Sequence, residues 1–545
     1  MKIKLTDFAY LLVVPLLLTL IFILHVSPSN IDFNCDPDYA FLFNSLNLAN
    51  LKFAEWYDHP GTTGFILGGL FLRIAHFLIG KGNLVNDVIA NPEAYLYWLK
   101  YLLFTFNISV VIWAGIRAAK LYGQTWFGVW FQMAAFAGIS EYHKYRSDGL
   151  LYIFCLIITV MVLNLYYNIK NRDDESVAVP FAVIIALCLV TKLNSVAFAL
   201  FPLVFLRTIR WRIYYLWLTA GLAFVLILPV IGYFYGMMNW FGGMAKSSEL
   251  YGGMYKAPGA AAGGGGLMNP VKMLTNFIQV PMLAPVFFIL LLAGTVALGM
   301  QFKNGNWRNR KFLWLLAVWV VVFAQLVITL KHFKIYYLTP GMVMAFALSP
   351  SIIDTFRLRE RFGKHVGTIF LTAGFAVFIP FNFWALERPA HIKEAVSAYK
   401  AVETVYAKNY SQYPFIESDY SGIYAASRYG IMRTAQQKPL YLSILKQNWP
   451  NRYYCGRVTN GPGDVPLNID SLLKVKHHII LAIDESWGPL DFTLGYWKNA
   501  RLPARYTIKE VLAQKPALMY MMSEIAPASD SVPALEPAGK ELSSH

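Results

Sequence analysis

Charged residues are scarce in this chain. Only 14% of its 545 residues are charged and 57% are hydrophobic, whereas a soluble protein carries about 25% charged residues. The shortage argues against a water-soluble protein and indicates lipid as the main solvent. Several apolar runs approach or exceed the ~20 residues with which a helix spans a bilayer. The sequence therefore predicts a multi-pass membrane protein.

Cysteine is also rare. The four cysteines are too few for a disulfide scaffold or a zinc cage. Cys155 and Cys188 lie inside apolar runs and are predicted to pack in the core. Cys35 and Cys455 lie in segments predicted to be outside the cytoplasm. A disulfide between them is one alternative if that compartment is oxidising.

Two other kinds of signal are missing. We find no internal repeat and no glycine-rich motif with phosphate-loop spacing. The formal net charge is +16, but the basic residues recur in short clusters between apolar runs and form no groove-like cluster. That pattern argues against nucleic-acid binding and is typical of cytoplasmic loops under the positive-inside rule.

The apolar runs predict about 11 transmembrane helices and a cytoplasmic N-terminus, which places every large basic cluster inside. The predicted spans are residues 8–27, 96–117, 124–141, 149–169, 178–191, 195–207, 213–236, 271–300, 312–330, 335–352 and 366–384. Residues 62–80 are apolar enough to cross, but they contain Arg73 and His76, and a crossing here would move later basic loops outside. We therefore predict an interfacial helix there.

This topology divides the chain into three parts. Residues 1–384 form an all-α transmembrane domain with a first extracytoplasmic loop over 28–95, and residues 385–525 form a small extracytoplasmic α/β domain. Strands are predicted at His478–Ile483 and Ala517–Met522. Residues 526–545 are rich in Ala, Pro and Ser, which predicts disorder.

Carboxylates follow the first predicted span. Asp36 and Asp38 stand two residues apart beside the membrane surface, where they can serve as a general base, as metal ligands or as both. The alternative is an N-cap for a helix that begins at Tyr39.

Two further motifs combine opposite charges. Asp58 and His59 precede Pro-Gly, which suits either substrate binding or an ordinary turn. Arg146 and Asp148 lie in a dense ionisable stretch at a predicted membrane boundary. Interfacial anchoring accounts for most of that stretch, but a carboxylate that enters an apolar helix needs a partner.

Cations stand where the positive-inside rule does not expect them. Lys192 is flanked by apolar sequence, so it marks either a functional site or a side chain that snorkels to the surface. Lys331, His332 and Lys334 lie at a predicted outer boundary beside Tyr336 and Tyr337. A phosphate at that depth would explain them, because ammonium groups pair strongly with phosphate in a poorly solvated site.

In this order, the motifs resemble those of membrane-embedded glycosyltransferases with the C-type fold. More narrowly, they resemble the branch with protein O-mannosyltransferases and the lipid A aminoarabinose transferase. The resemblance covers about residues 1–350, and the motifs that carry it are Asp36–Tyr39, Asp58–Gly61, Arg146–Gly149, Thr191–Lys192 and Lys331–Pro340. The family usually has Asp-Glu where this chain has Asp36-Pro37-Asp38; Asp38 aligns better because Tyr39-Ala40 follow it.

The resemblance implies transfer of a sugar, with inversion, from a polyprenyl-phosphate donor to an acceptor glycan, lipid or protein. Asp38, or Asp36, would be the catalytic base. Asp58, His59, Asp148, Tyr336 and Tyr337 would contact substrate. The groups implied to bind the donor phosphate are Lys192, Lys331, His332, Lys334 and Arg146. Family members differ in metal dependence, so a Mg or Mn ion held by Asp36 and Asp38 stays open.

Two other classes compete with this interpretation. For a lipid or glycan transporter, or flippase, we would expect charges at mid-membrane depth and a repeat between the two halves of the chain. For a non-enzymatic scaffold that presents the C-terminal domain, we would expect no gathering of carboxylates and cations on one face. We expect a bacterial inner membrane protein whose active site faces the periplasm, since the predicted outer segments contain one clear N-glycosylation acceptor, Asn409-Tyr410-Ser411.

Overall fold

The architecture comes from a computed structural model of the full chain. The structure describes residues 4–25, 35–54, 61–141, 145, 147–169, 174–231, 270–331, 335–417, 423–454, 469–484, 506–514 and 517–524. These residues fall into two compact units. The first comprises the described residues of Met1–Val26, Asn47–Phe71 and Leu99–Leu386, and the second those of Ser27–Leu46, Leu72–Trp98 and Glu387–His545.

Helices dominate the chain up to residue 409. In chain order they are α1 (Leu5–Leu11), α2 (Val13–His25), α3 (Cys35–Ala49), α4 (Thr62–Ile79), α5 (Leu84–Ala90), α6 (Pro92–Tyr122), α7 (Thr125–Gln132), α8 (Ser147–Tyr167), α9 (Asp174–Thr191), α10 (Leu200–Phe205), α11 (Ile209–Ile231), α12 (Pro270–Leu283), α13 (Pro285–Lys303), α14 (Arg310–Lys331), α15 (Ile335–Ala345), α16 (Ser349–Thr355), α17 (Leu358–Phe362) and α18 (Val366–Asn409). Short 3₁₀ segments at Met133–Glu141, Leu193–Ala199 and Phe346–Leu348 extend or join them.

Within these described ranges, nine helical segments are long and apolar enough to cross a membrane. The chain is a multi-pass membrane protein. Eight of the nine coincide with predicted spans, and the ninth is Thr62–Ile79, for which we predicted an interfacial helix. The other predicted spans, 124–141, 178–191 and 195–207, are helical but shorter or divided. Predicted span 271–300 coincides only in its second half, because it forms α12 and α13 with a break at Ala284, where Pro285 occupies the first turn of α13.

Aromatic and branched side chains hold the first unit together. Its core runs from Leu11 to Phe378 and includes Trp314, whose indole N–H donates to the carbonyl of Val162 at 2.8 Å. Such a bond satisfies a polar group that would otherwise be costly to bury in an apolar interior. The predicted core cysteines are confirmed: Cys155 and Cys188 are both buried and unbonded to each other.

The basic clusters of the first unit gather at one end of its helices. Near the C-terminal end of α8, the Tyr166 hydroxyl donates to Asp354 at 2.5 Å, and Arg310 donates to the carbonyl of Ile169. Arg359 donates to the hydroxyl of Tyr122, and Tyr122 lies two residues after the basic residue Lys120. Helix α8 has 21 residues, so its Asp148 end lies about 30 Å from this basic end.

The second unit contains a five-stranded sheet with the order β2-β1-β3-β5-β4. Its strands are β1 (Phe415–Glu417), β2 (Arg452–Tyr454), β3 (His478–Asp484), β4 (Tyr506–Gln514) and β5 (Ala517–Glu524), and its further helices are α19 (Ile423–Ile431), α20 (Lys438–Asn448) and α21 (Ile469–Lys476). β1 pairs in parallel with β2 and β3, while β5 lies antiparallel between β3 and β4. The two predicted strands are therefore confirmed as β3 and β5.

Alternating side chains give this sheet two apolar faces. Ile480 and Ala482 pack with Tyr399 and Val402 of α18, whereas Ile479 and Leu481 pack on the opposite face with Leu473 of α21. This period of two is the pattern expected for a strand covered on both sides. The fold class is thus an all-α membrane domain followed by a small α/β domain.

Some expectations lie outside the described residues. They concern Cys455, the side chain of Cys35 and the tail 526–545. Helix α18 runs through the predicted domain boundary at 384/385.

Candidate functional site

An ion pair joins the start of α8 to the end of α9. Nζ of Lys192 lies 2.5 Å from Oδ1 of Asp148, and the two side chains are only 12% and 8% exposed. A charge in such a position is costly unless it is paired and hydrogen-bonded. Asp148 is therefore the partner that Lys192 needs, and Lys192 the partner that the carboxylate needs.

The backbone around Lys192 turns the side chain toward this partner. Helix α9 ends at Thr191, and Lys192 is extended, with φ −163° and ψ 126°, before the 3₁₀ segment begins. Its N–H still donates to Cys188 at 2.8 Å, and its carbonyl accepts from the Ser195 hydroxyl at 2.8 Å. Both backbone groups are thus satisfied at a break between helices, which a buried break requires.

Two tyrosines at the start of α15 flank the ammonium. Nζ of Lys192 lies 5.1 Å from the ring centroid of Tyr336 and 5.1 Å from that of Tyr337. Within about 6 Å, the negative face of an aromatic ring attracts a cation. Both tyrosines were predicted site residues, and the structure brings them together with Lys192 and Asp148.

A small cavity adjoins the ion pair. Its volume is about 10 Å³, and its lining includes Asp148, Tyr152, Tyr336 and Thr339. That is about the room one water molecule needs, and far less than a sugar needs.

Asp38 occupies the second unit. It lies in the first turns of α3 and is 3% exposed. Because α3 already begins at Cys35, an N-cap for a helix starting at Tyr39 is the wrong interpretation of this residue. Helix α3 packs on the α/β domain: Asn44 donates to the carbonyl of Arg433 at 3.3 Å, and the ring of Phe43 lies 6.4 Å from that of Tyr441.

Comparisons with known proteins find similarity in structure alone. No family model and no curated protein sequence matches the chain. A crystal structure of ArnT from Cupriavidus metallidurans in the apo state matches with a TM-score of 0.50 and 12% identity, and covers 94% of this chain and 98% of the other. The same protein bound to undecaprenyl phosphate matches with a TM-score of 0.48, 10% identity and the same coverage.

The chain has the C-type glycosyltransferase fold. The similarity extends over nearly the whole of both chains, so it includes the region after residue 350 for which the sequence motifs implied little. At this low identity the match establishes the fold alone. The side chains of this chain must carry any argument about its chemistry.

Several predicted site residues fall outside what the structure describes. They are Arg146, His332, Lys334, Asp58 and His59. Asp36 lies in α3 and Lys331 ends α14, but their side chains are also outside the described part. Across the residues that the structure does describe, no group of three or more His, Cys, Asp or Glu side chains could hold a metal ion. The metal site at Asp36 and Asp38 stays a prediction.

Sequence reasoning missed the residues that support the ion pair from α4. Thr63 contacts Thr191, and the Tyr145 hydroxyl donates to the carbonyl of Gly64 at 2.9 Å. Each is adjacent to a motif that the sequence did identify, but a threonine at the start of a helix and a tyrosine at a membrane boundary are too common to be informative alone.

Proposed function

We propose that this protein transfers a sugar from a polyprenyl-phosphate donor to an acceptor on the extracytoplasmic face of a bacterial inner membrane, with inversion. The observation that carries the proposal is the buried Lys192–Asp148 pair, flanked by Tyr336 and Tyr337. It lies in a C-type glycosyltransferase fold, at the helix ends opposite the basic clusters. The ArnT of the comparison binds undecaprenyl phosphate in one crystal structure, which is the kind of donor lipid proposed here.

Lys192 is assigned to the donor phosphate. The hydroxyl oxygen or amine nitrogen of the acceptor attacks the anomeric carbon, the bond from that carbon to the phosphate oxygen breaks, and the lipid phosphate leaves with the negative charge. A cation that is already in place stabilises this charge without reorganisation. An ammonium carries three N–H donors, so its bond to Asp148 does not by itself exclude a phosphate oxygen.

Asp38 is assigned as the general base, with Asp36 as the alternative. Its carboxylate takes the proton from the acceptor hydroxyl or amine as the new bond forms. One displacement at the anomeric carbon inverts its configuration. The proposal leaves room for a divalent cation, Mg or Mn, because carboxylates and a phosphate are the oxygen ligands that such ions prefer. The ion would offset charge on the phosphate.

The orientation follows from charge. Arg310, Arg359 and Lys311 belong to the basic end of the first unit, and the positive-inside rule puts such an end in the cytoplasm. The Asp148 end is then extracytoplasmic. Asp148 is the second residue of α8 and Lys192 follows the last residue of α9, so the pair sits at helix ends. This position favours an enzyme at the bilayer boundary over a transporter with charges at mid-membrane depth.

The test is sugar transfer by the purified full-length protein with radiolabelled polyprenyl-phosphate sugars. The variants are Asp38→Asn and Lys192→Met, and Asp354→Asn is the control, because Asp354 is 52% exposed at the opposite end of the helices. We expect the wild type to consume one donor. Asp38→Asn should be at least ~100-fold slower, the scale of general base catalysis, and the control should keep its rate. EDTA treatment followed by Mg or Mn addition tests the metal.

Two outcomes overturn the proposal. Consumption of no donor by the wild type rejects the transferase, and lipid transport in vesicles then becomes the leading activity. Equal rates for the wild type and Asp38→Asn keep the transferase but remove Asp38 as the base, and Asp36→Asn is then the next variant to measure.

A further inference from the structure

The first turn of α4 makes hydrogen bonds to the end of α9. The Thr63 and Thr191 hydroxyl oxygens are 2.5 Å apart. Because the single Thr191 hydroxyl proton goes to the carbonyl of Leu187 at 2.6 Å, Thr63 is the donor between the two threonines. The Gly61 N–H also donates to the carbonyl of Thr191 at 3.1 Å. Thr191 is fixed at both its backbone and its side chain, one residue before Lys192.

The same turn is bonded to the segment that leads into α8. The Tyr145 hydroxyl donates to the carbonyl of Gly64 at 2.9 Å, and this contact is buried. Tyr145 precedes Asp148 by three residues. Four consecutive residues, 61–64, therefore bridge the two segments that carry the two halves of the ion pair.

We infer that this turn of α4 positions the Lys192–Asp148 pair, and that Thr63 is a positioning residue for Lys192. The inference rests on the proposed function for its catalytic consequence but not for its geometry. Thr191 ends a helix, and Lys192, whose N–H still donates to the carbonyl of Cys188, leaves it in an extended conformation. The helix therefore does not continue past Lys192 to fix the direction of its side chain. The bonds from Gly61 and Thr63 supply that constraint. Thr63 is 6% exposed and Thr191 is fully buried, so water does not compete for them.

The experiment compares three variants of the full-length protein. Thr63→Val removes the hydroxyl and keeps the shape, and Thr63→Ser restores the hydroxyl. Thr159→Val is the matched control, because Thr159 is a fully buried threonine of α8 whose hydroxyl donates to the carbonyl of Cys155 in its own helix. The first readout is the rate at which a small acylating reagent modifies the Lys192 amine, measured by mass spectrometry of the peptide. The second is kcat and KM for the donor.

We expect Thr63→Val to raise the Lys192 modification rate about fivefold, the change that corresponds to losing one hydrogen bond of about 1 kcal/mol. Thr63→Ser and Thr159→Val should stay near the wild-type rate. We also expect Thr63→Val to have a lower kcat, Thr63→Ser to restore it, and Thr159→Val to keep the wild-type kcat. The melting temperatures of the two valine variants are compared as a control. An equal fall in both would show that the loss of a buried hydroxyl does not by itself explain the difference in kcat.

The outcomes separate this inference from the proposed function. Equal Lys192 reactivity in the wild type and Thr63→Val overturns the positioning role, whatever the protein transfers. Raised reactivity in a protein that transfers no sugar keeps the positioning role and rejects the function. If Thr63→Val does not fold, Tyr145→Phe removes the bond on the Asp148 side, and unchanged Lys192 reactivity in that variant overturns the inference.

Discussion

Nζ of Lys192 lies 2.5 Å from Oδ1 of Asp148, although 44 residues separate them in the chain. The contact exists because α8 and α9 pack against each other and the pair occupies the N-terminal end of one and the C-terminal end of the other. Its burial makes each charge depend on the other.

Removing one member of this pair should be more damaging than removing both. Lys192→Met takes the Lys192 cation away from the buried Asp148, and we expect the free energy of unfolding to fall by about 3–5 kcal/mol. The double variant Asp148→Asn with Lys192→Met should recover most of this loss. Denaturant unfolding in detergent measures both.

Lys474→Met is the control for that comparison. Lys474 pairs with Asp470 at 2.7 Å, but its side chain is 61% exposed, so the loss should be under about 1 kcal/mol. A double variant as unstable as Lys192→Met would show that the two charges are not coupled.

The tyrosines beside Lys192 should matter through their rings. Tyr337→Phe keeps the ring 5.1 Å from the ammonium, whereas Tyr337→Leu removes it. A cation–π contact contributes about 0.5–2 kcal/mol, so the leucine variant should bind a polyprenyl phosphate about 2- to 30-fold more weakly than the phenylalanine variant. Isothermal titration with the lipid phosphate checks this. Equal affinities of the two variants, both below the wild-type affinity, would assign the role of Tyr337 to its hydroxyl.

The α/β domain should lose stability as the pH rises through the pKa of a buried carboxyl. Glu417 is fully buried, which raises its pKa to about 7, although Arg452 and the N–H of Ala425 favour the carboxylate. The ordinary value is 4.5, so between about pH 4.5 and 7 the folded state binds more protons than the unfolded state. Stability therefore falls with rising pH across that window.

Protease resistance of the domain in the full-length protein, measured from pH 4.5 to 8, tests this pH dependence. Glu417→Gln should flatten the profile. Glu510→Gln is the control, since Glu510 lies in β4 and its side chain is exposed. A profile of Glu417→Gln that keeps the wild-type slope would assign the dependence to another group.

A methyl group at Gly430 should displace α3. A Cβ there would lie 2.6 Å from the backbone carbon and oxygen of Tyr39, the residue next to Asp38. Overpacking of this kind costs about 1–3 kcal/mol, and the shift of α3 should also lower sugar transfer. Gly299→Ala in α13 is the control, because its Cβ meets no atom within 4 Å. Full activity of Gly430→Ala would show that the position of Asp38 is not critical.

Cysteine labelling should decide whether α4 crosses the membrane. Lys52 and Lys81 flank α4 and are both exposed. In a background with Cys35 and Cys455 replaced by serine, an interfacial α4 leaves Lys52→Cys and Lys81→Cys reactive with an impermeant reagent from the same, outer side of intact cells. Labelling of one from outside and the other only after lysis would show that α4 crosses. Lys364→Cys, at the basic end, should react only after lysis.

Much of this protein could be predicted from composition and periodicity. The membrane class follows from the low charge, the helices from long apolar runs, and strands β3 and β5 from short runs such as His478–Ile483. These features are local, because each depends on residues within one helix or strand. The break at Ala284 and the early start of α3 were missed, since boundaries depend on a few residues whose preference is weak.

The sequence by itself determined that the protein lies in lipid and where most of its helices and two of its strands are. It also determined which ionisable residues are energetically costly to bury, because burial in an apolar run penalises charge whatever the fold. It identified Lys192 and Asp148 separately and did not pair them. Only the tertiary structure decided that α8 and α9 bring the two charges together, that Tyr336 and Tyr337 flank them, and that α4 supports them through Thr63. Such contacts join residues far apart in the chain, and their partners are selected by packing between helices, which no local pattern encodes.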